Sequence, residues 1–338
     1  MSSQPEYLAE FSHLREAALR VGALVFEIRN LLASSEEANR NTDSNTNFVI
    51  EAGKSGGGGG VGVQHQVVDP PHIELEGRLG RLTSTGFNPD IGSSSFCLLL
   101  QMLEAFPRWS RIEPWEESQD VFYTVDLPGS IVGDSNAQPR PLQVRSSIKA
   151  KTQVRPNETE AQEISVSHIV KKKCGRVDLY LQSVDVGCCA LETRAGNFRP
   201  VDARISLSME FPVPSDLLPM AVTPEFVRIK QRKRFFLGSL GVPGDCFSFD
   251  LSVVYKGHTR TEAEALQQKG DGASFEVECE CLAPNEYLDA TNNDATCLGL
   301  SILLKLLDFA STLNPSSPVT FVPSVNDTTK KAGNGFSC

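Results

Sequence analysis

Three segments of the sequence carry charged side chains at every second residue. Because successive side chains of a β-strand point to opposite faces, each set would lie on one face of an extended strand. Like charges in line repel one another, so such a row is tolerated where opposite charges or bound ions lie against it. The rows are Glu74, Glu76 and Arg78; Arg228, Lys230, Arg232 and Arg234; and Glu276, Glu278 and Glu280.

These rows suit the binding of a divalent cation beside a polyphosphate. Mg²⁺ and Mn²⁺ take oxygen ligands, which two carboxylates on one strand and a third on another strand could supply. A triphosphate carries about four negative charges, so Arg and Lys on the opposite wall would neutralise and orient it. Phosphoryl transfer needs mainly positioning and charge stabilisation, with a carboxylate to orient the attacking water. The alternative is that each row is the solvent-facing side of an ordinary sheet.

The elements that position these rows are predicted to be antiparallel strands. Most segments between residues 73 and 282 alternate apolar and polar side chains between turn signals, which is typical of β-structure. Apolar runs at residues 95–106 and 294–313 predict two helices, the second of which we expect to support the strands from outside. The sequence therefore predicts a mainly β domain of the α+β class, and a barrel would enclose the charged faces.

The remaining segments predict a simple domain organisation. Residues 1–34 have apolar side chains at helical spacing and predict an amphipathic helix. Residues 35–69 are rich in Gly, Ser and Asn and predict a flexible linker, so the catalytic domain would cover residues 70–313. Residues 314–338 are rich in Ser, Asn, Lys and Pro and predict a disordered tail.

Composition limits the class of protein. A net charge of −10 argues against a general nucleic-acid coating protein, which would carry a broad basic surface. The nine cysteines include no CxxC pair, which favours reduced thiols inside a cell. The first residues lack the apolar core of a signal peptide, so we expect a soluble protein of the nucleus or the cytoplasm.

Four segments resemble, in order and spacing, the motifs of the fungal and protozoal RNA 5′-triphosphatases of the triphosphate tunnel family. The resemblance runs from about His72 to Leu313. Many members of that family have Lys at the position of Arg78 and Thr at the position of Ser252, and Arg binds phosphate with a different geometry from Lys. The segments are ELEGRLG at 74–80, RISLSMEFPVP at 204–214, RIKQR at 228–232 with DLS at 250–252, and EVECE at 276–280.

This resemblance implies an antiparallel eight-stranded β-barrel tunnel with supporting helices, and it implies roles for individual residues. Glu74, Glu76 and Glu280 would ligate Mg²⁺ or Mn²⁺. Glu210, Asp250, Glu276 and Glu278 would position water or hold basic side chains. Arg78, Arg204, Arg228, Lys230 and Arg232 would contact phosphates, and Arg145 and Lys171–Lys173 are candidate contacts in the tunnel or at its entrance.

The implied activity is hydrolysis of the γ-phosphate of 5′-triphosphate RNA, the first step of mRNA capping. The substrate partner would be the 5′-triphosphate end of nascent RNA, with a separate RNA guanylyltransferase as a further partner and with no role for DNA or a membrane. One alternative is a hydrolase of tripolyphosphate or another small triphosphate on the same fold. Another is a non-catalytic module that binds RNA 5′ ends.

Residues 269–272 (KGDG) resemble the lysine motif of RNA guanylyltransferases. That motif expects Arg at the position of Ser274. The Gly-Asp-Gly sequence also suits a hairpin turn that leads into the acidic strand. We therefore predict a turn at this position.

Overall fold

A computed structural model describes residues 14–26, 71–133, 138–153, 161–183, 201–219, 223–238, 245–282, 292–313 and 319–323. The predicted linker at 35–69 lies outside these residues. Within them lie the strands β1 (His72–Thr83), β2 (Gly86–Asn88), β3 (Arg111–Pro128), β4 (Pro139–Gln153), β5 (Ala161–Ser183), β6 (Asp202–Pro212), β7 (Phe226–Gly238), β8 (Asp245–Gly257), β9 (Ser274–Cys281) and β10 (Val319–Pro323). The helices are α1 (14–26), α2 (Ser93–Ala105), α3 (Arg260–Lys269) and α4 (Asn292–Leu313).

Eight of these strands close into an antiparallel barrel. The hydrogen-bonded path runs β1, β6, β5, β4, β3, β7, β8 and β9, and it returns to β1 because β1 pairs with both β6 and β9. The short strands β2 and β10 pair with the C-terminal ends of β1 and β5. The predicted eight-stranded antiparallel barrel is therefore confirmed.

The barrel is charged inside and apolar outside over the half that the helices cover. On β1, Leu75 and Leu79 are buried on the outer face, while Glu74, Glu76 and Arg78 face inward. The same alternation places the apolar side chains of β6, β8 and β9 in one hydrophobic core with α1, α2 and α4. Burial of this outer layer stabilises the fold, since apolar area removed from water contributes about 25 cal/mol per Å².

Helix α4 packs directly against β1. At Gly77, a Cβ atom would lie only 2.8 Å from Leu306 Cδ1 and 3.3 Å from Ile302 Cδ1, so the strand has no space for a side chain there. The segment Ala295–Leu313 is long and apolar enough to cross a membrane by length and composition alone. Its residues Ile302, Leu303 and Leu306 are instead fully buried in the outer core, which confirms the predicted supporting role.

Helix α1 occupies part of the helix predicted at residues 1–34 and packs closely on α4. A Cβ atom at Gly22 would lie 2.9 Å from the Thr296 backbone, and one at Gly175 of β5 would lie 2.6 Å from Leu24. These glycines allow α1 to lie against both the helix and the barrel wall.

Two elements differ from the sequence predictions. The segment 269–272 forms the predicted turn into β9, but this turn follows a helix rather than a strand. β8 and β9 are joined by α3, which begins with the Thr259 hydroxyl accepting the Glu262 amide and ends at Gly270 with φ 70°. The strand β10 lies in the segment predicted to be disordered. It pairs antiparallel with the end of β5, at residues 179–183.

Candidate active site

The seam between β1 and β9 brings the two acidic segments side by side. Glu76 lies directly opposite Glu280, and Arg78 lies opposite Glu278. On the other side of β1, Glu74 lies opposite Ser208 of β6, whose hydroxyl donates to the Glu74 carboxylate at 2.9 Å. The three carboxylates predicted to bind a metal are therefore on adjacent positions of two neighbouring strands.

Glu280 is the least compensated carboxylate of this group. Burial and the nearby charges of Glu74, Asp250 and Glu76 together raise its pKa to about 8. The neighbouring hydroxyl of Ser248 is fully buried and has no hydrogen-bond partner among the described residues. A positive charge at this position would remove the repulsion, so the donor set fits an oxygen-ligated divalent cation.

The side chains of Glu74 and Glu76 are turned toward basic groups. The Lys171 ammonium is paired with Glu74 and lies 3.7 Å from Glu76, and Arg78 donates to Glu76 at 3.0 Å. Although burial lowers the pKa of Lys171, the two carboxylates raise it above its ordinary value. Over the part of the chain that the structure describes, no three His, Cys, Asp or Glu side chains converge as ligands do.

Glu278 lies between two cations in the middle of the tunnel. Arg78 is 2.9 Å from its carboxylate on one side, and Lys230 is 3.7 Å away on the other. Burial would raise the pKa of Glu278, but Arg78, Lys230 and Arg228 outweigh it and lower that pKa well below its ordinary value. Glu278 is therefore a poor proton acceptor, and its charge holds Arg78 and Lys230 in place.

The rest of the basic row on β7 is held in the same way. Arg228 donates to Glu276 at 3.2 Å, and Arg232 and Arg234 donate to the same oxygen of Asp250 at 3.0 and 3.1 Å. The other oxygen of Asp250, Oδ1, is buried without a hydrogen-bond partner among the described residues. It could accept a hydrogen bond from a water molecule in the tunnel.

Two further predicted phosphate contacts lie on β4 and β6. Arg145 of β4 donates to Glu210 of β6 at 3.2 Å. Arg204 of β6 is held by both oxygens of Asp178, at 2.5 and 2.9 Å. A guanidinium bound in this bidentate way is less available to a phosphate than the singly bonded Arg145.

All thirteen predicted site residues belong to barrel strands, and their registers place them on the tunnel face. Sequence reasoning left out several charged residues that share this face. The signal on β3 was present as polar side chains at alternate positions, but the neighbouring Glu117 and Gln119 on the outer face are polar too and obscure it. The residues not predicted are Glu116, Asp120, Lys149 and Asp178, which form ion pairs or hydrogen bonds within the wall.

Comparisons with known proteins give similarity in structure alone. No protein-family model matches the sequence, and no curated protein matches it. The barrel is similar to the S. pombe Pct1 RNA triphosphatase, with 14% identity over 72% of this chain and 85% of that chain and a TM-score of 0.42. It is also similar to the Mimivirus capping enzyme triphosphatase, with 12% identity over 71% of this chain and 89% of that chain and a TM-score of 0.38.

A second solved structure of Pct1 shows that protein in complex with the Spt5 CTD, with 15% identity to this chain and a TM-score of 0.42. The solved structures named above are RNA triphosphatases or the triphosphatase of a capping enzyme.

Proposed function

We propose that this protein is a metal-dependent RNA 5′-triphosphatase that removes the γ-phosphate of 5′-triphosphate RNA. The observation that carries the proposal is the closed barrel with an acidic group at Glu74, Glu76 and Glu280 beside a basic row at Arg228–Arg232. Such an interior would hold a polyanion and a cation together. The four sequence motifs that resemble the RNA triphosphatases of the tunnel family support the same reaction.

In this proposal, Glu74, Glu76 and Glu280 would hold Mg²⁺ or Mn²⁺. The bound ion would supply Lewis-acid stabilisation of the charge on the transferring phosphoryl group. The fit rests on the register, which places Glu280 directly opposite Glu76, and on the buried Ser248 hydroxyl beside Glu280, which has no hydrogen-bond partner among the described residues.

The basic residues would bind and orient the phosphates. Lys230 and Arg78 flank Glu278, and Arg228 and Arg232 continue the row on either side along β7. Arg145 would contact the phosphates from β4, and Arg204, which Asp178 holds, would contribute charge at the edge. Arranging these cations before substrate arrives lowers the reorganisation needed in the transition state.

The remaining carboxylates would position the basic side chains and the water. Glu210 and Glu276 each accept from a cation that faces the tunnel, and Glu278 forms ion pairs with Arg78 and Lys230. Asp250 would orient the attacking water through its unpartnered Oδ1. The water oxygen would bond to the γ-phosphorus as the β–γ bridging bond breaks, giving inorganic phosphate and a 5′-diphosphate RNA end.

A second candidate is hydrolysis of tripolyphosphate or another small triphosphate in the same tunnel. The charged interior would accept either substrate, since it recognises phosphates rather than bases. The long basic strand and the flanking segments favour RNA. The protein would then act on nascent RNA in the nucleus, and a separate guanylyltransferase would take its diphosphate product.

The test is release of labelled γ-phosphate from triphosphate-ended RNA with Mg²⁺, with Mn²⁺ and with EDTA, beside tripolyphosphate. We expect metal-dependent release from RNA that EDTA abolishes. Fast turnover of tripolyphosphate without release from RNA would assign the protein to the small-molecule class. Binding of RNA 5′ ends without turnover of either substrate would support the non-catalytic module instead.

A further inference from the structure

One mouth of the charged tunnel carries a pair of aromatic rings. Phe122 of β3 and Phe226 of β7 are opposite each other in register. Their ring centroids are 4.3 Å apart and their planes differ by 17°, so the rings are stacked. Phe122 shares its face of β3 with Ser118 and Asp120, and Phe226 shares its face of β7 with Arg228, so both rings are on the tunnel face.

This aromatic pair is not part of the hydrophobic core. Both rings are half-buried, and neither belongs to the two apolar clusters that the described residues form. The rest of the tunnel face is polar or charged over most of its length. Since an apolar pair at a solvent-filled opening gains little from mutual burial alone, its position suggests contact with a ligand.

The surroundings of the pair leave one ring face available. The Lys256 ammonium lies 4.0 Å from the centroid of Phe226, so Phe226 has a cation on one face and Phe122 on the other. Among the described residues, no second ring or cation lies over Phe122. The next strand places Arg145 directly beside Phe122, and its Nε is buried without a hydrogen-bond partner.

The spacing along β7 matches a nucleotide entering from this mouth. Phe226, Arg228 and Lys230 face the tunnel in succession, about 7 Å apart at each step of two residues. Arg228 pairs with Glu276, and Lys230 lies beside Glu278 in the middle of the tunnel. A triphosphate extending inward from the aromatic pair would therefore follow these cations toward the acidic group.

At the other mouth, the described residues form no comparable surface. There, the ring of Phe236 is 3% exposed and lies under the guanidinium of Arg111, 3.7 Å from its centroid. That guanidinium is in turn held by Glu113 and by Asp245. A base could not reach this ring without breaking both ion pairs.

We propose that the aromatic pair Phe122–Phe226 is the stacking site for the base of the first nucleotide of the RNA, which would lie on the available face of Phe122. This inference rests on the proposed function, because it assumes that the triphosphate occupies the tunnel. Stacking tolerates all four bases, since each has a π-face. The pair would therefore favour the binding of nucleotide-bearing triphosphates over tripolyphosphate, which has no base to stack.

The experiment measures KM and kcat for triphosphate-ended RNA and for tripolyphosphate with three variants. Phe122→Leu removes the π-face but keeps apolar volume, and Phe122→Tyr keeps the ring. Phe106→Leu is the matched control, because Phe106 is an exposed ring on the outer side of the barrel that packs on Trp109. Melting temperatures of all variants verify folding, and Phe226→Leu replaces Phe122→Leu if the latter does not fold.

We expect Phe122→Leu to raise the KM for RNA roughly tenfold relative to the KM for tripolyphosphate. Phe122→Tyr should stay within about twofold of wild type on both substrates, as should Phe106→Leu. An equal effect of Phe122→Leu on both substrates, or no effect on either, would overturn the stacking site while leaving the proposed function intact.

If wild type hydrolyses neither substrate, the proposed function fails and equilibrium binding decides the inference. The probes are a triphosphate-ended oligonucleotide and tripolyphosphate. Weaker binding of the oligonucleotide alone to Phe122→Leu would support the stacking site. Unchanged affinity of this variant for the oligonucleotide would overturn it.

Discussion

Glu280 of β9 lies directly opposite Glu76 of β1 at the seam where the barrel closes. Two carboxylates face each other there in a buried wall, and burial with its acidic neighbours raises the pKa of Glu280 to about 8. A positively charged ligand would therefore remove electrostatic repulsion between the two facing carboxylates.

Replacing Glu280 by Gln should separate activity from stability. We expect metal-dependent turnover to fall on the order of a hundredfold or more, because a ligand of the ion is lost. The melting temperature of the metal-free protein should stay within about 3 °C or rise, because the substitution also removes repulsion. Phosphate release and thermal melting measure the two effects, and the exposed Asp271→Asn serves as the control. Near-normal turnover by Glu280→Gln at saturating Mn²⁺ would contradict the assignment of Glu280 as a ligand of the metal ion.

The stability of the metal-free protein should depend on pH through Glu280. Its pKa is raised on folding from an ordinary value of 4.5 to about 8, so the folded state holds this proton more tightly. The resulting stabilisation is complete below pH 4.5 and is lost as the pH rises through about 8. We expect the melting temperature in EDTA to fall between about pH 5 and about pH 8, and to fall less in Glu280→Gln. If the melting temperature fell equally steeply with pH in both proteins, this would contradict the raised pKa of Glu280.

Lys171 should compete with a metal ion for the same carboxylates. Its ammonium pairs with Glu74 and lies 3.7 Å from Glu76. We expect Lys171→Met to bind Mn²⁺ more tightly, on the order of tenfold, because the carboxylates lose their internal counter-charge. Calorimetric titration of the free protein measures this affinity, with the exposed Lys269→Met as the control. Weaker binding by Lys171→Met would show that the ion and Lys171 do not share these ligands.

The reactivity of the β9 thiols should show that the apolar face of this strand is the outer one, covered by helices. Cys279 and Cys281 alternate with the acidic row and are fully buried in the outer core, and burial raises the pKa of the Cys279 thiol. We expect both to resist alkylation in the native state, while the exposed Cys97 and Cys297 react quickly. Mass spectrometry of labelled peptides measures the order of reaction. Early labelling of Cys279 would place that face of β9 in contact with solvent.

Strands whose charge alternates regularly could be predicted from the sequence. On β1, β7 and β9, the regular spacing of charged side chains is enough to assign one face of each strand to the interior. On β3 the alternation is obscured, because Glu117 and Gln119 on the outer face are polar too. On β5 the register shifts between Lys173 and Gly175, so the spacing of Lys171 and Asp178 does not reveal a shared face.

Other features depend on contacts that no local pattern contains. The bidentate contact of Arg204 with Asp178 joins residues 26 positions apart, so the reduced availability of Arg204 could not be predicted. Helix α3 is short and mostly polar, with only Ala263 buried, so it gives little apolar periodicity. The aromatic pair could not be predicted either, because Phe122 and Phe226 become neighbours only when β3 pairs with β7.

Alternate residues of β1 face the tunnel and helix α4, and this affects how such a barrel can change over evolution. Glu76 and Arg78 face the tunnel, and Gly77 between them lies against α4. Substitutions on the tunnel face leave the helix contacts untouched, so new substrates could be reached one residue at a time. An insertion of one residue would exchange the two faces along the strand, placing Leu75 in the tunnel and carboxylates under α4. Lineages of this fold should therefore vary freely in side chains but hardly at all in strand length.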